Sequence, residues 1–255
     1  MDLDLPSRIA VLADIHGNAD ALRAVLSDID SHGAGLIVNL GDQFSGPLAA
    51  RETAAILRST GGVCLRGNHD RWLVEQAPEE MGASDRAAYD QLTPDDLEWL
   101  RALPSNCEMG GEIFACHATP GDDLTYWMHR VEGDGTVGPR SLAEVDALAG
   151  AERAPLLLCG HSHLAGEVIL SDGRRILNPG SVGLPAYDDD VPVYHVMEAG
   201  APDARYMILD RTEFGWDVTW RVVPYDASRM IAMAQDQGRL DWAHALATGY
   251  MPDRP

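Results

Sequence analysis

An uninterrupted apolar run, Ile9-Ala10-Val11-Leu12-Ala13, predicts a buried strand from Arg8 to Ala13. Apolar residues at Leu22, Val25, Leu26 and Ile29 follow at helical spacing. Asn18 stands where the N-cap of that helix belongs. The alternation continues with a strand at Leu36 to Leu40, a helix opened by Pro47 and running to Thr60, a Gly61-Gly62 stop, and a strand at Val63 to Leu65. A β-α-β-α-β beginning implies parallel strands joined by right-handed crossovers.

After residue 70 the pattern changes. Residues 71 to 104 read as helix in pieces, with Thr93 as a cap and Leu97, Leu100 and Leu103 along one face. Ser105 to Met109 and Glu112 to Cys116 read as a hairpin around Gly110-Gly111, and Leu156 to Cys159 as a further strand. From Gly166 strand signals dominate: Glu167 to Leu170, a Ser171-Asp172-Gly173 turn, Arg174 to Leu177, Val193 to Met197, Arg205 to Leu209 and Trp216 to Val223. Helices return from Ala227 and around Trp242. Residues 131 to 140 and Asp188-Asp189-Asp190 read as surface loops, the latter solvated because three carboxylates would repel an anionic substrate. An α/β architecture of two stacked mixed sheets with helices outside, a four-layer α-β-β-α sandwich, uses all these elements. The length of 255 residues suits one domain over residues 1–255.

Composition narrows the function classes. No apolar run approaches the roughly 18 residues of a membrane span, and Met1-Asp2-Leu3-Asp4 carries the wrong charge for a signal peptide. A cytoplasmic protein without a membrane partner is expected. Cys64, Cys107, Cys116 and Cys159 show no C-x-x-C spacing and read as free thiols. The net charge of −21, from 19 Lys+Arg against 40 Asp+Glu, argues against a groove for duplex nucleic acid. A small anionic substrate stays compatible, because bound divalent cations would reverse the field inside one cleft.

The candidate chemistry converges on Gly67-Asn68-His69-Asp70. Upstream lie Asp14-Ile15-His16-Gly17-Asn18 and Gly41-Asp42, and downstream His117 and Gly160-His161-Ser162-His163. Asp14, Asp42, Asn68, His117 and His161 each stand just past a predicted strand, where an α/β protein gathers ligands. Asp14 with His16, and His161 with His163, are i,i+2 pairs, so extended backbone would turn both members of each pair the same way to chelate. Seven imidazole and oxygen donors (Asp14, His16, Asp42, Asn68, His117, His161 and His163) exceed the needs of one tetrahedral zinc. Two divalent ions sharing a carboxylate fit better. Such ions lie roughly 3.5–4 Å apart and activate water against phosphate esters.

In this order, Asp-x-His, Gly-Asp, Gly-Asn-His-Asp, a lone His and Gly-His-x-His resemble the calcineurin-like metallophosphoesterases, over residues 8 to 185. Asp-Ile-His-Gly-Asn and Asn178-Pro179-Gly180-Ser181 further resemble the small bacterial phosphodiesterase branch. The resemblance implies that Asp14, His16 and His163 bind one metal, Asn68, His117 and His161 the other, and that Asp42 bridges them. A metal-bridging hydroxide would attack phosphorus, while His69 protonates the leaving oxygen and Asp70 orients its imidazole. Manganese is the metal the resemblance favours, with Fe²⁺, Ni²⁺ and Zn²⁺ admissible for an oxygen and nitrogen donor set.

The chain departs from better-known branches. Protein serine/threonine phosphatases and diadenosine tetraphosphatases carry Gly-Asp-x-Val-Asp-Arg-Gly, where this chain has Gly41-Asp42-Gln43-Phe44-Ser45-Gly46-Pro47 without the phosphate-binding arginine. They also prefer Glu where Asp70 stands. Both departures favour a small phosphodiester, cyclic nucleotides among the candidates. A phosphomonoesterase, or a non-catalytic metal-binding scaffold, are the alternatives. Asn18 and Arg71 are candidates for substrate contact, and Arg66 either contacts substrate or pairs with a buried acid. Tyr126, Trp127 and His129 either wall the pocket or anchor a short helix, and Phe44, Trp72 and Tyr187 stand under the same alternative. His32, His195 and His244 read as helix-end, strand and helix positions. The strand-rich segment from Val191 to Val223 offers an edge through which copies could pair as a homo-oligomer.

Overall fold

A computed structural model describes residues 5–253. Residues 1–4, which carry the reading against a signal peptide, lie outside the described residues. The elements run β1 (Arg8–Leu12), α1 (Ala19–His32), β2 (Leu36–Asn39), α2 (Ala50–Thr60), β3 (Val63–Cys64), α3 (Asn68–Glu75), α4 (Ala83–Tyr89), α5 (Pro94–Ala102), β4 (Asn106–Met109) and β5 (Ile113–Cys116). They continue with β6 (His129–Val131), β7 (Val137–Pro139), α6 (Leu142–Leu148), β8 (Leu156–Leu158), β9 (Gly166–Ile169), β10 (Arg175–Asn178), β11 (Ala186–Asp189), β12 (His195–Glu198), β13 (Ala204–Thr212), β14 (Gly215–Val223), α7 (Ser228–Asp236) and α8 (Leu240–Thr248).

Two five-stranded sheets stack. The first has the order β14-β13-β1-β2-β3, with β1, β2 and β3 parallel and β13 and β14 antiparallel to their neighbours. The second has the order β4-β5-β8-β10-β9, with β5, β8 and β10 parallel and the outer strands antiparallel. Strand alternation builds three layers of core from this arrangement. Ile9, Val11 and Ala13 meet Ile113, Ala115, Leu156 and Leu158 between the sheets. Ala10 and Leu12 point the other way, onto Leu22, Val25 and Ile29 of α1. Phe114, Cys116 and Leu157 face away from the first sheet and pack on Val145 of α6 and on Trp127. Each fully buried Leu or Ile contributes about 1.5–3 kcal/mol, so the sandwich holds the strand ends firmly.

Local signals account for many boundaries. Asn18 Oδ1 accepts from Ala21 N and caps α1, and Gly33 ends it in the left-handed region. Thr93 and Asp96 form a capping box on α5. Gly110 and Gly111 take φ of 58° and 66°, as a tight hairpin turn requires. Other expectations need correction. The helix expected from Pro47 starts at Ala50, because the preceding residues are spent on the site: His16 and Gly17 donate to Asp42 and Gln43 carbonyls and Ala49 N to Gly17 O. Residues 131 to 140 are largely the β6–β7 hairpin rather than a loop, and α6 carried no signal that was read. Asp188 and Asp189 are exposed, as expected, yet they belong to β11, whose partner is β12.

Candidate active site

The loops after β1, β2, β3, β5 and β8 meet at one end of the sandwich, and they bring all seven predicted donors together. Asp14, His16 and His163 form one cluster, and Asp42, His117 and His161 a second, with ligand atoms inside each lying within 4.8 Å of one another. Asp42 stands between them: its Oδ2 is 3.8 Å from His16 Nε2 and 3.3 Å from His117 Nε2. Asn68 Oδ1 lies 3.0 Å from His117 Nε2.

The backbone at these positions is unusual. The non-glycine residues with positive φ among the described residues are Asp14, His16, Asp42, His161 and His163, at 51° to 65°. Each left-handed turn costs energy for a residue with a Cβ, and such strain concentrates where function needs it. It also corrects the expectation of extended i,i+2 pairs. Asp14 and His16 reach one cluster together, but His161 and His163 part to different clusters. Neighbouring glycines make room: a Cβ on Gly67 would collide with Asp42 Oδ1, and one on Gly41 would sit 2.6 Å from Gly67 N.

Hydrogen bonds fix which ring nitrogen each histidine offers. His16 Nδ1 bonds Ser45 O at 2.8 Å, His163 Nδ1 bonds Leu184 O at 2.7 Å and His117 Nδ1 bonds Leu40 O at 3.0 Å. Carbonyls accept only, so these nitrogens carry protons and Nε2 is the nitrogen that each ring turns to the clusters. His161 is reversed, with Nε2 on Leu124 O at 2.8 Å and Nδ1 left for the cluster. Consequently the neutral rings of His16 and His163 turn two lone pairs toward each other at 3.2 Å, while His117 Nε2 faces the Asn68 oxygen at 3.0 Å. Such juxtaposed acceptors are unfavourable unless a cation lies among them, and the donor set suits divalent metals.

Electrostatics agree. Burial pushes His16 and His161 down to about 4 and His163 well below the ordinary imidazole value, so all three are neutral, as ligands must be. Burial pushes the Asp14 carboxyl up, to about 8. Burial also opposes charge on Asp42, but the imidazoles of His117 and His69 outweigh it and hold its carboxyl well below the usual range. For His117 the penalty of burial is overcome by Asp42, which pushes it up to about 10. The centre of the site thus demands positive charge.

A sequence model of the calcineurin-like phosphoesterase family matches residues 7–165. The chain belongs to the calcineurin-like phosphoesterases. A protein of Methanocaldococcus jannaschii, itself uncharacterized, is 26% identical over 245 residues, covering 88% of this chain and 90% of that one. A metallophosphoesterase from Sphaerobacter thermophilus shares the fold with a TM-score of 0.73 at 24% identity, over 95% of this chain and 99% of that one. A candidate diadenosine tetraphosphatase matches with a TM-score of 0.54 at 17% identity, over 87% of this chain and 96% of that one. The four-layer sandwich of mixed sheets flanked by helices is therefore the metallophosphoesterase fold, and the protein is a phosphoester hydrolase.

Above the two clusters of this phosphoesterase opens a cavity of about 1040 Å³, lined by His16, Asp42, Asn68, His69, His161 and His163 at its base. Its walls resolve several open readings. Trp72, Tyr126 and Tyr187 line it, whereas Phe44 and Trp127 are core, the Trp127 indole donating to Val145 O. Asp188, Asp189 and Asp190 also line the cavity. His195 is on strand β12, as expected, but bonds Tyr126 Oη at 3.0 Å, and Tyr126 stacks on His161.

Three predicted roles move. The Asp70 carboxylate does not hydrogen-bond the His69 ring: it accepts from Asp42 N, Gln43 N and Gly67 N, tying the second loop to the third. The His69 ring instead bonds Asp85 on α4, a residue the sequence reading missed. Asn18 is wholly buried and structural, donating to Gly183 O and Tyr225 Oη besides capping α1. Arg71 is held by both oxygens of Asp123 and does not line the cavity. Arg66 pairs at 3.9 Å with Glu75, a half-exposed acid rather than a buried one. The four cysteines are free, three of them buried, and no helix of the described residues is long and apolar enough to cross a membrane.

Proposed function

We propose that this enzyme is a dinuclear metal-dependent phosphodiesterase acting on small phosphodiesters. The observation that carries the reading is Asp42, whose one oxygen lies between imidazoles of both clusters beneath the cavity that His69 lines. Asp14, His16 and His163 would hold one divalent ion and Asn68, His117 and His161 the other, with Asp42 shared. Two such ions supply Lewis acidity toward the phosphoryl group and lower the pKa of attacking water toward neutrality. His69 donates a proton to the leaving oxygen. Burial opposes the charge on its ring, but Asp42 and the bond to Asp85 prevail and push it up to about 9. The carboxylate of Asp85 on the ring thus favours the protonated form that a general acid requires.

The lining supports a diester over a monoester. The arginines of the cavity are engaged: Arg130 by Glu132, Arg140 by the Tyr126 carbonyl and Glu144, and Arg239 by Asp241. A diester carries one negative charge where a monoester carries two, and it has two arms to fill a wide cavity with aromatic walls. We take Mn²⁺ as the working metal because the family resemblance favours it, the oxygen and nitrogen donor set being open to Fe²⁺, Ni²⁺ and Zn²⁺ as well. The same reading treats residues 1–255 as one unit, since β13 and β14 extend the sheet that carries Asp14 and Asp42. The unpaired thiols support a reducing, cytoplasmic setting, and the acidic surface of a −21 chain disfavours duplex nucleic acid as substrate.

The test compares bis(p-nitrophenyl) phosphate with p-nitrophenyl phosphate on chelator-stripped protein, with and without added Mn²⁺. Metal-restored hydrolysis of the diester in clear excess over the monoester is expected. Preference for the monoester would replace this reading by a phosphomonoesterase, and two bound ions with no turnover of either would favour the scaffold.

A further inference from the structure

Asp85 stands near the N-terminus of α4, far from every motif that supplies a ligand, with a side chain only 5% exposed. Its Oδ1 accepts from His69 Nδ1 at 2.7 Å. That bond leaves Nε2 as the ring nitrogen available to the cavity, which both residues line. The segment that carries this carboxylate is held by its neighbours. Gly46 N donates to Ser84 O at 3.0 Å, Arg239 Nη1 to Ser84 Oγ at 2.8 Å, and Gln91 Nε2 to Leu48 O at 2.8 Å. Arg239 is clamped by Asp241 and lies 5.5 Å over the Trp242 ring. Around His69, Trp72 packs edge-on at 4.8 Å, and Trp72, Ser84, Arg239 and Trp242 line the same cavity.

We infer that Asp85 is the positioning residue of His69 and that the departing alcohol lies on the side of the cavity walled by α3, α4 and α8. The inference rests on the proposed role of His69 as proton donor. In that step the oxygen of water forms the new P–O bond and the P–O bond to the leaving alcohol breaks. The alcohol oxygen takes the proton from Nε2, and a proton given up by the water restores the ring. A carboxylate on Nδ1 holds the ring in the orientation and tautomer that aim Nε2 at the leaving oxygen. Its loss therefore hurts most where the leaving group most needs a proton.

The experiment measures turnover of metal-loaded wild type, Asp85→Asn, Asp85→Glu and His69→Ala on methyl phosphodiesters whose leaving group is p-nitrophenol or the less acidic phenol. For Asp85→Asn, with metal content unchanged, a loss of about a hundredfold is expected with phenol and under about tenfold with p-nitrophenol, with KM within about twofold. Asp85→Glu should recover part of the phenol loss. An equal loss with both leaving groups, or none, overturns the inference while His69→Ala still shows the steep dependence. If His69→Ala shows no such dependence, the role of His69 fails first and the inference with it. A readout without any variant is the ring-nitrogen NMR of His69 in the Zn²⁺-loaded enzyme. A proton on Nδ1 is expected, and a ring protonated on Nε2 alone would overturn the inference.

Discussion

Asp14, His16 and His163 are each almost without solvent contact, and the two imidazoles are anchored by carbonyls of buried residues, Ser45 and Leu184. In the other cluster His161 is only partly buried, and its anchor is the carbonyl of Leu124, a residue 51% exposed on the cavity wall. The same ligand chemistry is therefore preorganised to different degrees. A donor locked by buried hydrogen bonds loses little freedom on binding an ion, whereas one oriented from a surface loop loses more. The first cluster should hold its ion through conditions that strip the second, although residues of both floor the cavity.

Breaking the shared element should have the largest effect. Asp42→Asn removes the charge between the clusters, so it should lower bound metal at both and turnover by on the order of a thousandfold, read by metal analysis beside the rate. His69→Ala should leave both ions in place and cost about 10²–10⁴-fold in turnover. An emptied metal cluster in that variant, with near-normal turnover, would reverse the division between ligand and acid. His161→Ala sharpens the comparison, because one ion should remain per chain after mild chelation where His16→Ala leaves fewer.

A control far from both clusters has the smallest effect. Asp28 accepts two hydrogen bonds from Arg221 and one from Tyr206 Oη. The Arg221 hydrogen bond, against a smaller opposing effect of burial, holds the Asp28 carboxyl below its usual value. A depressed native pKa contributes stability that is present above the unfolded value, near 3.9, and is lost as pH falls through the native one. Asp28→Asn should thus cost about 1–2 kcal/mol at neutral pH in denaturant unfolding. The deficit should shrink below about pH 4, with bound metal unchanged. A loss of metal here would mean that global stability, not local preorganisation, separates the two clusters.

The gathering of the donors was legible because each block follows a strand whose apolar pattern is plain, as Ile9 to Ala13 precedes Asp14 and Leu156 to Cys159 precedes His161. Periodicity could locate those ends without any knowledge of their contacts. What surrounds the ligands was not legible in the same way. Asp85 reaches His69 across 16 residues through helix packing that no local spacing encodes. Asp70 sits beside His69 in sequence, but helical geometry turns its carboxylate back onto the amides of Gly67, Asp42 and Gln43. The parting of His161 from His163 follows from left-handed backbone at both, a conformation that sequence spacing does not announce for histidine.

The most direct test of two unequal ion sites under one catalytic cavity is a stepwise Mn²⁺ titration of chelator-stripped protein. Bound metal and hydrolysis of bis(p-nitrophenyl) phosphate are followed together. Two ions of unequal affinity are expected, with turnover appearing as the second binds. Saturation at one ion, or full turnover with only the first ion bound, would contradict the account.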